Sequence, residues 1–330
     1  MPFVPPPHSP VPLAGPCSRL LSSDVNTMLD QPLTPRGIFV GTVTAHRTLC
    51  DEHFEITLGI EDFPEALPGQ FLQVLCRDPD ITDAAVPVTS TGAAFLRRPF
   101  SIGGLRRRSE VAEVDLLGRV IGPGTAWLNC RNPGDKVNVI GPLGRSFSVP
   151  DSSHSALLVS GGIGLPPVRW HTEFLRKKGI SCFSIFGARE RRFIPLALSS
   201  APSPEGDMTR CADEFTRIDV PAGITTDDGS CGLRGRVTDA MERFLATKRD
   251  AGSVHVFACG PEPMLRAVAS LCLARGIPCE LAMERVMACG MGTCQSCVVP
   301  VFDSDRTEGW RYSLCCTEGP VYRAADVKWD

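Results

Sequence analysis

The sequence predicts a multi-domain β + α/β protein: an antiparallel β-barrel, a parallel α/β domain, and a small cysteine-rich module at the C-terminus. Three observations predict it. Between about residues 37 and 150, short apolar runs are broken repeatedly by Gly and Pro. From about residue 155, strand-like runs alternate with helix-like runs. Six of the 15 cysteines fall in the last 52 residues.

A length of 330 residues suggests two or three domains. Apolar residues make up 43 % and charged residues 22 %, enough to bury a core. The net charge is −3 and no long basic run occurs, so nothing points to nucleic acid. No uncharged apolar run approaches the ~18 residues that span a bilayer. The N-terminus lacks a basic segment followed by an apolar one, so we expect no secretion signal and a cytoplasmic protein.

Residues 1–36 are rich in Pro and Ser without periodicity and read as a flexible extension. Residues 37–150 follow, with "HFEITLGI", "GQFLQVLC", "EVAEVDLLGRVIG" and "DKVNVIGPLG" as antiparallel strands. Residues 77–96 interrupt them as a polar loop. Over 151–276 the pattern changes. "SALLVS" is a continuous apolar strand, and "VRWHTEFLRKKG" is a helix with Val168, Thr172 and Leu175 on one face and Gly179 as its stop. "ISCFSIFGAR" and "SVHVFACG" are strands; "GRVTDAMERFLATK" and "EPMLRAVASLCLARG" are helices. This alternation argues for a parallel sheet covered on both faces. Residues 277–330 form the cysteine-rich module.

In that module Cys289, Cys294 and Cys297 are spaced C-x4-C-x2-C. Zinc modules usually carry two C-x2-C pairs or add histidines, and all six histidines lie at or before position 255. A disulfide does not suit a cytoplasmic chain. A thioredoxin-like C-x-x-C sits beside a βαβ strand, and this one does not. The spacing, followed by a distant cysteine, is the plant-type 2Fe–2S pattern. Gly290 and Gly292 let the backbone wrap tightly and bring N–H groups to the sulfurs. The fourth ligand is Cys315 or Cys316, and spacing does not choose. The scattered cysteines read as small buried hydrophobes.

A 2Fe–2S centre passes single electrons, so coupling to a nicotinamide calls for a flavin. "RRPFSIGG" (Arg97 to Gly104) places an arginine, a proline, an aromatic residue and a serine on a barrel strand, suited to a flavin phosphate and ring. Gly122, Gly124 and Thr125 offer small residues near a pyrophosphate. "LLVSGGIGLPPV" puts Gly161, Gly162 and Gly164 between a strand and a helix N-terminus, where phosphates bind. It is not G-x-G-x-x-G. "FACGPEPML" repeats the idea with Cys259, Gly260 and Pro261 at a strand end. Each motif alone also reads as an ordinary turn. Arg189, Arg191 and Arg192 read as a solvated cluster, or as a grip on the 2′-phosphate of NADP.

In combination, "RRPFSI", "GPGT", "GPLGRSF", "SGGIGLPPV", "TTDDGSCGLRGRVTD", "FACGPEPML", "ERVMACGMGTCQSC" and "CCTEGPVY" resemble the electron-transfer subunits of type B dihydroorotate dehydrogenases, within the ferredoxin–NADP reductase-like group. The resemblance covers about residues 37–330. It implies FAD and one 2Fe–2S cluster in this chain, with NAD as the acceptor. It also implies a catalytic partner subunit holding FMN, assembled as a heterotetramer of two of each, with no membrane and no nucleic acid involved. The resemblance assigns Arg98, Pro99, Phe100, Ser101, Leu117, Gly118, Arg119, Gly124 and Thr125 to FAD. It assigns Cys289, Cys294, Cys297 and Cys316 to the cluster, because Cys316 precedes "TEGPVY". Two alternatives stand beside it: a flavin and iron–sulfur diaphorase subunit of a hydrogenase or transhydrogenase, and a structural zinc protein.

Overall fold

The computed structural model describes residues 36–77, 94–248 and 253–329. The extension expected over 1–36 lies outside them except for Arg36, and the loop expected over 77–96 lies largely outside them. Six strands close an antiparallel barrel in the order β1-β2-β5-β4-β3-β6. These are β1 (Gly37–Cys50), β2 (His53–Glu61), β3 (Phe71–Val74), β4 (Arg98–Arg108), β5 (Val111–Arg119) and β6 (Lys136–Leu143). Alternation fills the barrel. Ile56 opposes Leu116 and Leu58 opposes Val114, and all four are fully buried. A short helix, α1 (Pro123–Asn129), caps one end of β5.

A seven-stranded sheet follows, in the order β10-β9-β8-β7-β11-β12-β15. Its strands are β7 (Ser155–Gly161), β8 (Cys182–Ala188), β9 (Ala222–Thr226), β10 (Leu233–Arg234), β11 (Val254–Cys259), β12 (Cys279–Ala282) and β15 (Val321–Arg323). All neighbours are parallel except β15, which runs antiparallel to β12. The near-continuous burial of β7 fits a strand covered on both faces. Helices α2 (Leu165–Lys177), α4 (Val237–Ala246) and α5 (Glu262–Ala274) fall where the 3.6-residue pattern predicts them, and a one-turn helix, α3 (Asp213–Thr216), precedes β9. Gly179 and Gly276 end α2 and α5 at φ +80° and +64°.

Helix α2 is buried nearly all round, because it lies between the two layers. Pro166 packs close to Gly103 of the barrel, where an added Cβ would come within 3.1 Å. The Arg169 guanidinium, on α2, meets Glu55 of β2 at 2.6 Å, and both side chains are about nine-tenths buried. Glu55 also pairs with Arg47 at 2.6 Å, so it is removal of Glu55 that would strand a buried charge, that of Arg169, at about 3–5 kcal/mol.

The chain beyond residue 276 contributes β12 and β15 to the large sheet and forms a separate hairpin, β13 (Val298–Phe302) with β14 (Trp310–Leu314). Phe71 and Leu143 of the barrel share one core with Met287, Cys297, Cys315 and Cys316 of the tail. The tail is therefore packed on the barrel as well as on the sheet.

Candidate functional site

Residues 284–297, between β12 and the hairpin, form a loop without regular structure. Gly290 and Gly292 adopt φ +72° and +87°, which a glycine accepts without strain. The resulting wrap turns backbone N–H groups toward sulfur. Met291 and Cys294 donate to Cys289 Sγ at 3.4 Å, and Cys316 donates to Cys297 Sγ at 3.4 Å. Burial and the Cys297 side chain beside it push the Cys316 thiol up to about 12. The exposed Cys294 thiol is lowered to about 6 by hydrogen bonds from Ser296 and from the Cys289 backbone.

The two adjacent cysteines diverge. Cys315 is fully buried, its Sγ donates to the Met283 carbonyl at 3.5 Å, and burial raises its pKa far above that of a free thiol. It points into the core, while Cys316 reaches the sulfurs of the loop. Among the described residues, no three His, Cys, Asp or Glu side chains converge as they would around one ion. A two-iron cluster divides its four thiolates between two irons, so they need not meet at one point.

On the barrel, β3 and β4 lie side by side, with Gln73 opposite Pro99 and Phe71 opposite Ser101. Leu72, Val74 and Phe100 belong to the barrel core. Phe71 belongs to the core shared with the tail, so β3 alternates between the two. Gln73 follows Phe71 onto the outer face, and Pro99 and Ser101 share it. Arg97 is used internally, donating to the Gln73 and Asn138 carbonyls and to the Asn138 side chain. Arg98 is half-buried and lies against Gly124, where a Cβ would sit 3.1 Å from its side chain. Thr125 Oγ1 accepts from the Ile121 and Gly122 N–H groups, which fixes the turn into α1. Leu117 is buried, and Gly118 leaves room for the Phe54 ring across the strand pair.

A cavity of about 340 Å³ opens where β7, β8 and β9 end and α4 and α5 begin. The carboxyl ends of parallel strands are where such sheets take ligands. Gly161, Gly162 and Pro261 line it, as expected; Gly164, Cys259 and Gly260 do not. Gly164 instead serves as a spacer, since a Cβ there would collide with the Cys259 carbonyl. Burial pushes the Cys259 thiol up to about 12. Arg119, expected beside the flavin, lies on the cavity wall and is held by Glu52 through Nε at 2.9 Å and Nη2 at 2.7 Å.

The sequence left Phe193, His53, Thr225 and Asp227 unassigned, and all four line the cavity. Three guanidinium groups surround the Phe193 ring: Arg192 at 4.6 Å, Arg119 at 5.2 Å and Arg189 at 5.3 Å. Arg192 also pairs with Glu190 at 2.9 Å. His53 is buried with Nδ1 on the Asp51 carbonyl, and among the described residues its Nε2 has no partner. Burial lowers its pKa, which favours the neutral ring. Thr225 Oγ1 is likewise unpartnered. The signal for Thr225 and Asp227 was present in "TTDDGS", which ends a strand.

Residues 284–328 match the iron–sulfur cluster binding domain of dihydroorotate dehydrogenase B. Over 265 residues, 80 % of this chain, it is 32 % identical to the electron transfer subunit of dihydroorotate dehydrogenase B (NAD(+)) from Desulforamulus reducens, covering 88 % of that protein. The chain belongs to the family of dihydroorotate dehydrogenase B electron transfer subunits. The subunit of the same name from Geobacillus thermodenitrificans is 33 % identical, over 87 % of this chain and 96 % of its own. In fold, an NADH-dependent reduced ferredoxin–NADP oxidoreductase superposes with a TM-score of 0.67, covering 88 % of this chain and 90 % of its own at 22 % identity. A ferredoxin reductase of a carbazole 1,9a-dioxygenase gives 0.57 over 74 % of this chain. The matched iron–sulfur domain of the electron transfer subunit spans the whole cysteine loop. Four thiols, three N–H to sulfur hydrogen bonds and two positive-φ glycines make a donor set suited to that group.

Proposed function

We propose that this chain carries electrons from the FMN of a dihydroorotate-oxidising partner subunit to NAD. Its cluster ligands are Cys289, Cys294, Cys297 and Cys316, and FAD lies against the barrel beside Arg98. The packing of the cysteine loop on the outer face of β3, next to the Arg98–Ser101 strand, carries this reading. Bound FAD would supply the exchange between single electrons and a hydride, which a 2Fe–2S cluster lacks.

The chain's own groups bind and orient. Arg98 supports a phosphate, and Gly124 keeps clear the space beside its stem, which a Cβ would fill. The orphaned His53 Nε2 and Thr225 Oγ1 support hydrogen bonds to a bound nicotinamide nucleotide. Arg189 adds positive charge for its phosphates, and Asp227 on the same wall disfavours a further 2′-phosphate, hence NAD over NADP. Val286 and Met291, 86 % and 49 % exposed, lie on the cysteine loop itself and suit burial against the partner in a two-plus-two assembly.

The test compares NADH turnover by each subunit alone and mixed. The lone chain should oxidise NADH with an artificial dye, and dihydroorotate should reduce NAD only after the FMN subunit is added. Turnover of dihydroorotate by the lone chain would refute the division of labour. So would an inactive mixture of fully loaded subunits.

A further inference from the structure

Gln73 lies in the middle of β3 with no exposed surface, yet among the described residues neither its Nε2 nor its Oε1 has a hydrogen-bond partner. A buried, unpaired amide costs about 1–3 kcal/mol. Its position is specific. The tail loop covers it at Gly290, the residue after Cys289. A Cβ on Gly290 would sit 2.6 Å from Gln73 Cγ and 2.8 Å from Nε2. Gly290 is thus a glycine for two reasons: its φ of +72° and the amide pressed against it.

The donor end of the amide is the polar end nearest the loop. Thiolate and sulfide sulfurs accept hydrogen bonds and do not donate. We infer that Gln73 Nε2 donates a hydrogen bond to a sulfur of the iron–sulfur site and thereby raises its reduction potential. This rests on the cluster assignment of the preceding section. A donor to sulfur offsets the negative charge that the cluster gains on reduction, so it favours the reduced form. Gln73 is a positioning and tuning residue contributed by the barrel, outside the tail that supplies the ligands. Flavin strand and cluster loop are thereby joined through one side chain, because Pro99 is its cross-strand partner.

The test replaces the amide with a group of similar length. Gln73→Met removes the donor, and Gln73→Glu replaces it with a negative charge. Both are purified with bound cofactors, assayed for iron and sulfide, and titrated potentiometrically. The reduced cluster is followed by electron paramagnetic resonance and the flavin by absorbance. Gln73→Met should make the cluster about tenfold harder to reduce, a midpoint fall of about 59 mV for one electron. Gln73→Glu should lower it further, and the flavin midpoint should stay put in both. A full iron complement with an unmoved cluster midpoint overturns the inference. So does a shift confined to the flavin, which would assign the amide to the other cofactor. If the parent chain itself carries no iron, the cluster assignment fails instead, which is a separate result. Should both variants lose the cluster, parent protein with glutamine labelled by ¹⁵N in its side chain decides. A hyperfine coupling of that nitrogen to the reduced cluster is expected, and its absence refutes the bond.

Discussion

Replacing Gly164 by alanine adds one methyl group at the junction of β7, α2 and β11. That carbon would collide with the Cys259 carbonyl and sit 2.6 Å from the Gly260 nitrogen, whereas real Cβ atoms essentially never come within 3.0 Å of such neighbours. The obstacle is backbone, so no side chain can swing aside. The turn after β11 must retreat from the start of α2 by at least several tenths of an ångström. Overpacking of this kind costs about 1–3 kcal/mol. The displaced turn carries Pro261, which lines the proposed nucleotide cavity beside Gly161. A misplacement approaching 1 Å costs up to about a hundredfold in rate, so a loss of about tenfold in kcat/KM for NADH is expected. The assay is NADH oxidation with an artificial dye, alongside thermal melting and iron analysis. Iron content should match the parent, because the cysteine loop is untouched. Gly276→Ala is the control. It has open space but a φ of +64°, so it should lower Tm without changing NADH kinetics. Parental kcat/KM and parental Tm in Gly164→Ala would refute the steric reasoning.

Cys289→Ser, Cys294→Ser, Cys297→Ser and Cys316→Ser should each lose the cluster, while Cys315→Ser keeps it; iron and sulfide analysis of all five decides. Arg98→Ala should weaken FAD about ten- to hundredfold, from a charged hydrogen bond worth about 1.5–3 kcal/mol, with iron retained; flavin content after dialysis measures it. His171 is fully buried, and burial lowers its pKa to about 3. The unfolded chain, with an ordinary histidine pKa of about 6.5, takes up that proton first, so stability holds above about pH 6.5 and falls as the pH drops toward 3. The loss is about 1.4 kcal/mol per pH unit. His255, lowered to about 4, adds to it, while Glu280, raised by burial, opposes it. Urea midpoints at pH 7 and pH 5 should show a smaller drop in His171→Phe than in the parent.

The parts of the fold set by local periodicity were legible in the sequence. Alternation in "HFEITLGI" and the strand–helix succession after residue 155 reappear as barrel and sheet. The cysteine spacing pointed to the cluster because Cys289, Cys294 and Cys297 lie on one short loop, within the matched iron–sulfur domain. Cys315 against Cys316 was not legible from spacing, because the choice depends on which neighbour points toward Met283. The cavity wall was harder still. His53 on β2, Phe193 after β8, and Thr225 with Asp227 at the end of β9 lie far apart in the sequence, and only the fold brings them together. The glycines misled where they serve packing, as at Gly164. Gln73 was invisible, because a polar residue in "FLQV" reads as an ordinary outward-facing position until the tail is seen covering it.

Strand β15 seals the open side of β12, and the cysteine loop hangs between these two hydrogen-bonded neighbours. During synthesis the ribosome releases Val321 only after Cys289, Cys294, Cys297 and Cys316, the proposed cluster ligands, have emerged. Until then β12 is a bare sheet edge, with unpaired N–H and C=O groups that invite another chain to pair. Pairing of β15 with β12 thus closes off the cysteine loop and removes the sticky edge in one step. A chain that stops short of Val321 has both defects together: an iron site without its clasp and an aggregation-prone border on the nucleotide sheet.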